Sequence, residues 1–204
     1  MEKPDQEAVP SRQFDISKID FDLLSRQFAH TRRKNLLLRD LDELVNQQLA
    51  KMLFANPHRM DYYDRYQEII DAYNAEQNRA TIEKTFMDLM ELANSLDTEQ
   101  QRYVREGFSS DEELSVYDLL FSENLTKQEI ETIKKVSVDL LTKIKQQIAK
   151  LDHWTDKQET KAIVDNLIRN TLWQELPNSY GVSDIQTYQK KIYEYVYMRY
   201  PEVA

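Results

Sequence analysis

Apolar residues recur every three or four positions along most of the chain, which is the spacing of one face of an α-helix. The pattern is clearest in the last third, where three amphipathic segments follow one another at about 127–150, 155–174 and 184–200. Earlier segments of the same kind lie at about 21–28, 35–55, 59–74 and 81–96. The pattern predicts an all-α fold, a multi-helix bundle of about eight or nine helices with short connections.

Helix-capping residues mark the predicted boundaries. In a capping box, Ser or Thr is followed three residues later by Glu or Gln, and the two side chains satisfy backbone amides at the helix start. Gly107 is placed where a helix is expected to end. Pro57 ends the segment 35–55, because the residue before a proline avoids the helical region. Pro177 and Gly181 separate the last two helices. Capping boxes are predicted at Thr98/Gln101, Ser110/Glu113, Thr126/Glu129, Thr155/Gln158 and Ser183/Gln186.

The apolar stripes also predict which side chains face the core. In the segment 35–55 they are Leu37, Leu41, Leu44, Leu49, Met52 and Leu53, and in 127–150 they are Ile130, Ile133, Val136, Leu140, Ile144 and Ile148. The segment 59–74 carries Met60, Tyr63, Ile70 and Tyr73 on one face, with Tyr66 and Ile69 beside them. We interpret this tyrosine stripe as core packing with hydrated hydroxyl groups, and base stacking is the alternative.

The chain divides into three predicted parts: a flexible N-terminal tail at 1–13, an N-terminal helical part at 14–122 and a C-terminal helical part at 125–204. The two helical parts form either separate subdomains or one domain. The net charge of −9 argues against a free-standing DNA-binding domain, which usually has a basic surface. The charge is uneven, since residues 126–170 carry nine basic and seven acidic side chains. Any contact with a polyanion is therefore predicted in the C-terminal part.

The composition limits the chemistry that the chain can perform. It has no cysteine and two isolated glycines, so thiol catalysis, cysteine zinc sites and a glycine-rich phosphate loop are excluded. His30, His58 and His153 are far apart and form no known metal motif. No apolar run reaches about 18 residues and the start is polar, so neither a membrane span nor a signal peptide is predicted. We expect a cytoplasmic protein and predict no catalytic, cofactor-binding or metal-binding residue.

The charged and aromatic side chains of the last three segments are considered in turn as a nuclease motif, a protein anchor and a DNA contact. Glu159 and Lys161 resemble half of a metal-dependent nuclease motif, but a helix turns by about 100° per residue and keeps them from converging with Asp156. An exposed Trp154 or Trp173 would indicate a protein anchor, because Trp is enriched in interface hot spots. The lysines are interpreted as a solvated face, with contact to a DNA phosphate backbone as the alternative. They are Lys134, Lys135, Lys143, Lys145, Lys157, Lys161, Lys190 and Lys191.

Several landmarks follow one another in a fixed order. They are DISKIDFDLLSRQF, RMDYYDRYQEIIDAYN, LTKQEIETIKKVSVDLLTKI, then Trp154 with Lys157-Gln158 and Lys161, then LPNSY and a Tyr-rich last segment. In this order they resemble the C-terminal helical region of the motor (R) subunit of type I restriction enzymes, over about residues 14–201. The chain departs from that pattern at His153, Thr155, Asp156 and Tyr195, and these changes weaken a purely electrostatic grip on DNA.

The resemblance implies a role inside a larger enzyme. The full subunit couples ATP-driven DNA translocation to cleavage, and its nuclease and two helicase-like domains, which would use ATP and Mg, are absent from these 204 residues. This fragment is then no enzyme itself; it docks the motor onto the methyltransferase (M) subunits, next to the helicase domains of its own chain. The alternative is an auxiliary, sequence-independent contact with the duplex DNA backbone. Candidate contact residues are Trp154, Lys157, Lys161, Tyr188, Lys190 and Lys191.

Overall fold

The fold is helical over the residues that the structure describes. The computed structural model describes residues 20–76 and 78–201, so the predicted tail at 1–13 lies outside the described residues. Within them the chain forms nine α-helices, a 3₁₀ turn at Pro57–Arg59 and no strand, which confirms the all-α prediction. The helices are α1 (Phe21–His30), α2 (Lys34–Ala55), α3 (Met60–Ala75), α4 (Arg79–Gln100), α5 (Arg102–Arg105), α6 (Asp111–Leu120), α7 (Lys127–Ile148), α8 (Gln158–Glu175) and α9 (Val182–Arg199).

The chain forms two compact units, and the described residues of unit one are 20–52, 60–76 and 78–99. The rings of Phe28 and Phe86 stack in its core with their centroids 3.6 Å apart. Lys34 closes one side with an ion pair to Glu83 at 2.5 Å. The buried apolar residues recur at helical spacing along α1 to α4: Phe28, Leu38, Leu41, Val45, Leu49, Met52, Tyr66, Ile69, Phe86, Leu89, Met90, Leu92, Ala93 and Leu96.

The stripe predicted for α2 is partly wrong. Leu38 and Val45 are buried, whereas Leu37 and Leu44, which were predicted in the core, are half-buried. Leu41, Leu49 and Met52 are buried as predicted, so the buried face of α2 is shifted towards Leu38 and Val45 by only part of the step between successive residues. Leucines lie on both sides of the buried face, so the pattern alone does not decide which of them are buried.

In α3, the core interpretation of the tyrosine stripe holds for Tyr66. Its ring is buried and its hydroxyl donates a hydrogen bond to the carboxylate of Asp42 at 2.8 Å. Burial, followed by that carboxylate, raises the pKa of Tyr66 above its usual range. Met60, predicted on the same buried face, is exposed. The side chain of Met60, the first residue of α3, therefore lies outside the part of the helix that packs in the core.

Unit two comprises residues 53–59 and 100–201 among those described. In it α7 and α9 each pack against α6 and α8. The stripe predicted for 127–150 is confirmed from Ile133 to Ile148, and Ile130 is half-buried. The division predicted between residues 122 and 125 falls in the connection between α6 and α7. Other buried apolar residues are Phe108, Leu114, Val116, Tyr117, Leu119, Leu120, Leu141, Trp154, Val164, Ile168, Leu172, Tyr180, Ile185, Ile192, Tyr195 and Val196.

The end of α2 and the 3₁₀ turn are held in unit two by hydrogen bonds to two carboxylates of α6. The guanidinium of Arg59, which is only 3% exposed, donates to both carboxylate oxygens of Asp111 at 2.8 and 3.2 Å. The carboxylate of Asp118 accepts from the Asn56 amide at 2.8 Å and from Arg102 at 2.8 and 3.1 Å. Burial raises the pKa of Asp118 against the opposing effect of Arg102. This short segment is therefore an integral part of unit two.

Two of the five predicted capping boxes mark true helix starts. Thr126 and Glu129 form the complete box of α7, because the Thr126 N–H donates to the Glu129 carboxylate at 2.8 Å and the Glu129 N–H donates to the Thr126 hydroxyl at 3.3 Å. Ser110 caps α6 by accepting from the Glu113 N–H at 3.3 Å. The Glu113 carboxylate accepts from the N–H of Ser109, one residue earlier than the box predicts.

The prediction that Gly107 ends a helix is confirmed. Gly107 has a φ of +83°, a conformation that glycine adopts without a Cβ penalty. Its N–H donates to the carbonyl of Val104 at 3.1 Å, and the Phe108 N–H donates to the carbonyl of Tyr103 at 2.8 Å. These two bonds make the Schellman motif that closes α5.

The other three predicted boxes are wrong. Thr98 lies inside α4 and Ser183 inside α9, and α8 begins three residues after Thr155. The start of α9 is capped instead by the Asp184 carboxylate, which accepts from the Gly181 N–H at 3.0 Å. In each case the capping-box pattern occurs within or beside a helix without marking its start. The local pattern alone does not decide at which residue a helix begins.

Candidate interaction surface

The pair formed by α8 and α9 carries the predicted contact residues or lies next to them. The two helices are joined by residues 176–181 and pack against each other. A connection this short makes neighbouring helices antiparallel, so the first turns of α8 come beside the last turns of α9. Trp154 and Lys157 precede α8, Lys161 lies in α8, and Tyr188, Lys190 and Lys191 lie in α9.

Trp154 lies in the core beneath this pair. It follows the turn after α7, in which His153 adopts a positive φ of 45°. The indole is 1% exposed, and its N–H donates to the backbone carbonyl of Tyr200 at 2.6 Å. Its ring meets the rings of Tyr193 and Tyr197 edge-on, with centroids 6.2 and 5.7 Å apart. Trp154, which was predicted as a contact residue, is therefore a core residue. Trp173, near the end of α8, is the exposed tryptophan.

An open depression of about 460 Å³ lies between α8 and the end of α9. Lys161 forms one side, with its ammonium 5.7 Å from the ring centroid of Tyr197. Tyr193, Glu194 and Met198 complete the lining. Burial, followed by the charge of a nearby Asp, raises the pKa of Tyr193, so its phenol stays neutral over the ordinary pH range. The depression thus combines aromatic rings, a methionine, one cation and the carboxylate of Glu194.

Tyr188, Lys190 and Lys191 form a second group along α9. Tyr188 is half-buried and meets the ring of Tyr180 edge-on at 5.6 Å. The ammonium of Lys191 lies 6.0 Å from the Tyr188 ring centroid, and Lys190 faces Glu194 at 3.9 Å. Lys157 is exposed directly before α8. The Tyr197 ring therefore lies next to both Lys161 and Trp154, whereas Tyr188 and Lys191 form a separate pair.

Tyr197 and Met198 were missed by the sequence analysis, although both are exposed at the end of α9. The available signal was the position of Met198, which falls outside the buried face defined by Ile192, Tyr195 and Val196. A large apolar side chain off the buried face of an amphipathic helix is a sign of a contact surface.

The family of the chain follows from a comparison with models of known families. Residues 7–200 match the model described as Type I restriction enzyme HindI endonuclease subunit-like, C-terminal. The chain belongs to this family. The type I restriction subunit family is also the one that the sequence landmarks resemble, so that resemblance is confirmed. No curated protein and no solved structure matches the chain.

Three lysines of the predicted basic face of this restriction-subunit domain are balanced by carboxylates inside unit two. Lys134 pairs with Glu106 at 3.1 Å, and Lys143 pairs with Glu175 at 2.6 Å. Lys145 forms an ion pair with Glu112. Lys143 also pairs with Asp139 one turn earlier at 2.5 Å, which is a local contact. Glu106 and Glu112 lie far from Lys134 and Lys145 in sequence, so these two ion pairs could not be read from local patterns.

The restriction-subunit domain shows no metal-binding group of three or more His, Asp or Glu side chains in the part that the structure describes. None of its described helices is long and apolar enough to cross a membrane. One described surface feature with a defined shape is the depression beside Lys161.

Proposed function

We propose that this C-terminal domain attaches the motor subunit of a type I restriction enzyme to its methyltransferase (M) subunits, and that it makes and breaks no bonds itself. The observation that carries the proposal is the family match over residues 7–200. A subunit of a multi-subunit enzyme needs surfaces that its partners can cover, and we assign one of these surfaces to this C-terminal domain.

The exposed end of α9 supports this proposal. Tyr197 and Met198 leave large apolar side chains in water beside the cation of Lys161. Aromatic residues and methionine are enriched in the buried centre of protein interfaces. In this proposal the ATP and Mg chemistry belongs to the nuclease and helicase-like domains of the parent subunit. The helicase domains of the same chain are a second partner of this domain.

A direct binding experiment tests the proposal. The 204-residue chain is immobilised and presented with purified M subunit from the same restriction system, alone and in complex with the specificity subunit. We expect saturable capture of the M subunit and failure of assembly when the motor subunit lacks this domain. No capture, together with normal assembly of the truncated motor, would contradict the proposal.

Contact with the DNA backbone is a second candidate, favoured by the position of Lys157 and Lys161 one turn apart at the start of α8. Such contact predicts binding to any duplex sequence that weakens steeply as salt rises. The ion pairs of Lys134, Lys143 and Lys145 count against a wide basic surface. Titration of a labelled duplex at two salt concentrations separates this candidate from M-subunit docking.

A further inference from the structure

Residues Leu53–Arg59 lie between two helices of unit one in sequence and yet belong to unit two. The residues before them, up to Met52, and the residues after them, from Met60, are both part of unit one. We call Leu53–Arg59 the strap. Its first three residues end α2, and its last three form the 3₁₀ turn, which packs against α6. Unit two therefore includes a peptide that is joined to unit one at both ends.

The strap is held by directional polar contacts more than by apolar burial. Among its described side chains the buried ones are polar, Asn56 and Arg59, whereas Phe54 is 63% exposed. Their partners are two carboxylates of α6, Asp118 and Asp111, each at 2.8 Å. Hydrogen bonds weaken steeply when their angles depart from the ideal, whereas apolar contacts are non-directional. The strap therefore binds well only when its backbone is ordered.

The end of α2 provides that order at the start of the strap. The backbone carbonyl of Ala55, the last residue of α2, accepts from the hydroxyl of Ser115 at 2.9 Å and from that of Tyr195 at 3.5 Å. The residues of α2 up to Met52 belong to unit one. Most of the stability of a helix in a protein comes from tertiary packing. The end of α2 therefore stays ordered as long as unit one packs against the rest of the helix.

We propose that the strap couples the stability of the two units, so that unit two is weakened when unit one unfolds. Unfolding of unit one disorders both flanks of the strap, and docking then has to overcome the conformational entropy of its seven residues. An undocked strap takes Arg59 away from Asp111 and Asn56 away from Asp118, and a carboxylate that loses such a partner destabilises the fold. The coupling is reciprocal, so a partner that binds and stabilises either unit also stabilises the other.

Substitutions in unit one test the coupling, because both tryptophans of the chain lie in unit two. Tryptophan emission therefore follows unit two, while circular dichroism follows the helices of both units. L92A changes a fully buried leucine of α4 in unit one. We expect it to lower the urea midpoint of tryptophan emission by about 1 M, together with that of circular dichroism. The matched control is M87A, at a 57% exposed methionine of the same helix, which should shift neither midpoint by more than about 0.3 M.

Substitutions in the strap show whether the coupling runs through it. In the N56A/R59A chain, L92A should still lower the circular-dichroism midpoint but shift the tryptophan midpoint by less than about 0.3 M. Where N56A/R59A lacks native tryptophan emission, N56A alone replaces it, and the tryptophan shift caused by L92A should fall to about half.

Two results would overturn the inference. One is an unchanged tryptophan midpoint in L92A alongside a lower circular-dichroism midpoint or helix content, because the units would then be independent. The other is a tryptophan shift of equal size with and without the strap contacts, because the coupling would then run through another part of the chain.

Discussion

Replacing Trp154 by alanine tests whether this side chain stabilises the core of unit two. Burying an aromatic side chain removes about 150–250 Å² from water, which at about 25 cal/mol per Å² corresponds to roughly 4–6 kcal/mol. Alanine retains a small part of that burial, and measured costs of Trp-to-Ala changes in cores are about 3–5 kcal/mol. The indole N–H also donates to the carbonyl of Tyr200 at 2.6 Å, and losing that bond costs about 1 kcal/mol more. We therefore expect W154A to destabilise unit two by about 4 kcal/mol.

The assay is urea unfolding followed by circular dichroism. With a slope of about 2 kcal/mol per molar urea, a loss of about 4 kcal/mol lowers the midpoint by roughly 2 M. The matched control is W173A, because Trp173 is 49% exposed and its truncation should cost less than about 1 kcal/mol. In W173F, emission from the remaining Trp154 should be blue-shifted and protected from a soluble quencher. Equal midpoints for W154A and W173A, or easy quenching in W173F, would refute the assignment of Trp154 to the core.

Two further predictions concern polar contacts of unit two. Replacing Arg59 by alanine leaves the Asp111 carboxylate without its bidentate partner, and we expect a loss of about 3 kcal/mol in urea unfolding. The exposed Arg65 is the control; R65A should cost less than about 1 kcal/mol, and equal costs would contradict the prediction. Hydrogen bonds from Ser179 and Thr126 lower the pKa of Glu129 from 4.5 to about 2. Its contribution to stability is therefore complete above pH 4.5 and is lost as the pH falls towards about 2. E129Q should flatten the pH dependence of the urea midpoint in that window, and an unchanged slope would show that the contact does not form.

The sequence predicted the structure best where the deciding contacts lie within a single helix. The box of Thr126 and Glu129 and the stripe from Ile133 to Ile148 use contacts and spacings within a single segment, so α7 was predicted closely. The start of α8 was predicted three residues early. The preceding turn contains Trp154, whose indole binds the Tyr200 carbonyl 46 residues away, and no local pattern records that contact.

The candidate surface was harder to predict for the same reason. A lysine in a sequence shows its charge but not its partner, and the partners of Lys134 and Lys145 lie about 30 residues away. Trp154 was predicted as a contact residue because tryptophan is common at interfaces, yet its burial depends on how α9 crosses above it. The helical period predicts which side chains share a face, but the neighbouring helix decides whether that face is covered.

The membership of residues 53–59 in unit two has a practical consequence for exchanging parts between family members. A fragment that begins at Gln100 would lack the peptide that supplies Arg59 to Asp111 and Asn56 to Asp118. A chimera that takes 100–201 from one parent must therefore inherit 53–59 from that same parent. A crossover placed between these two stretches would pair side chains that were never selected together.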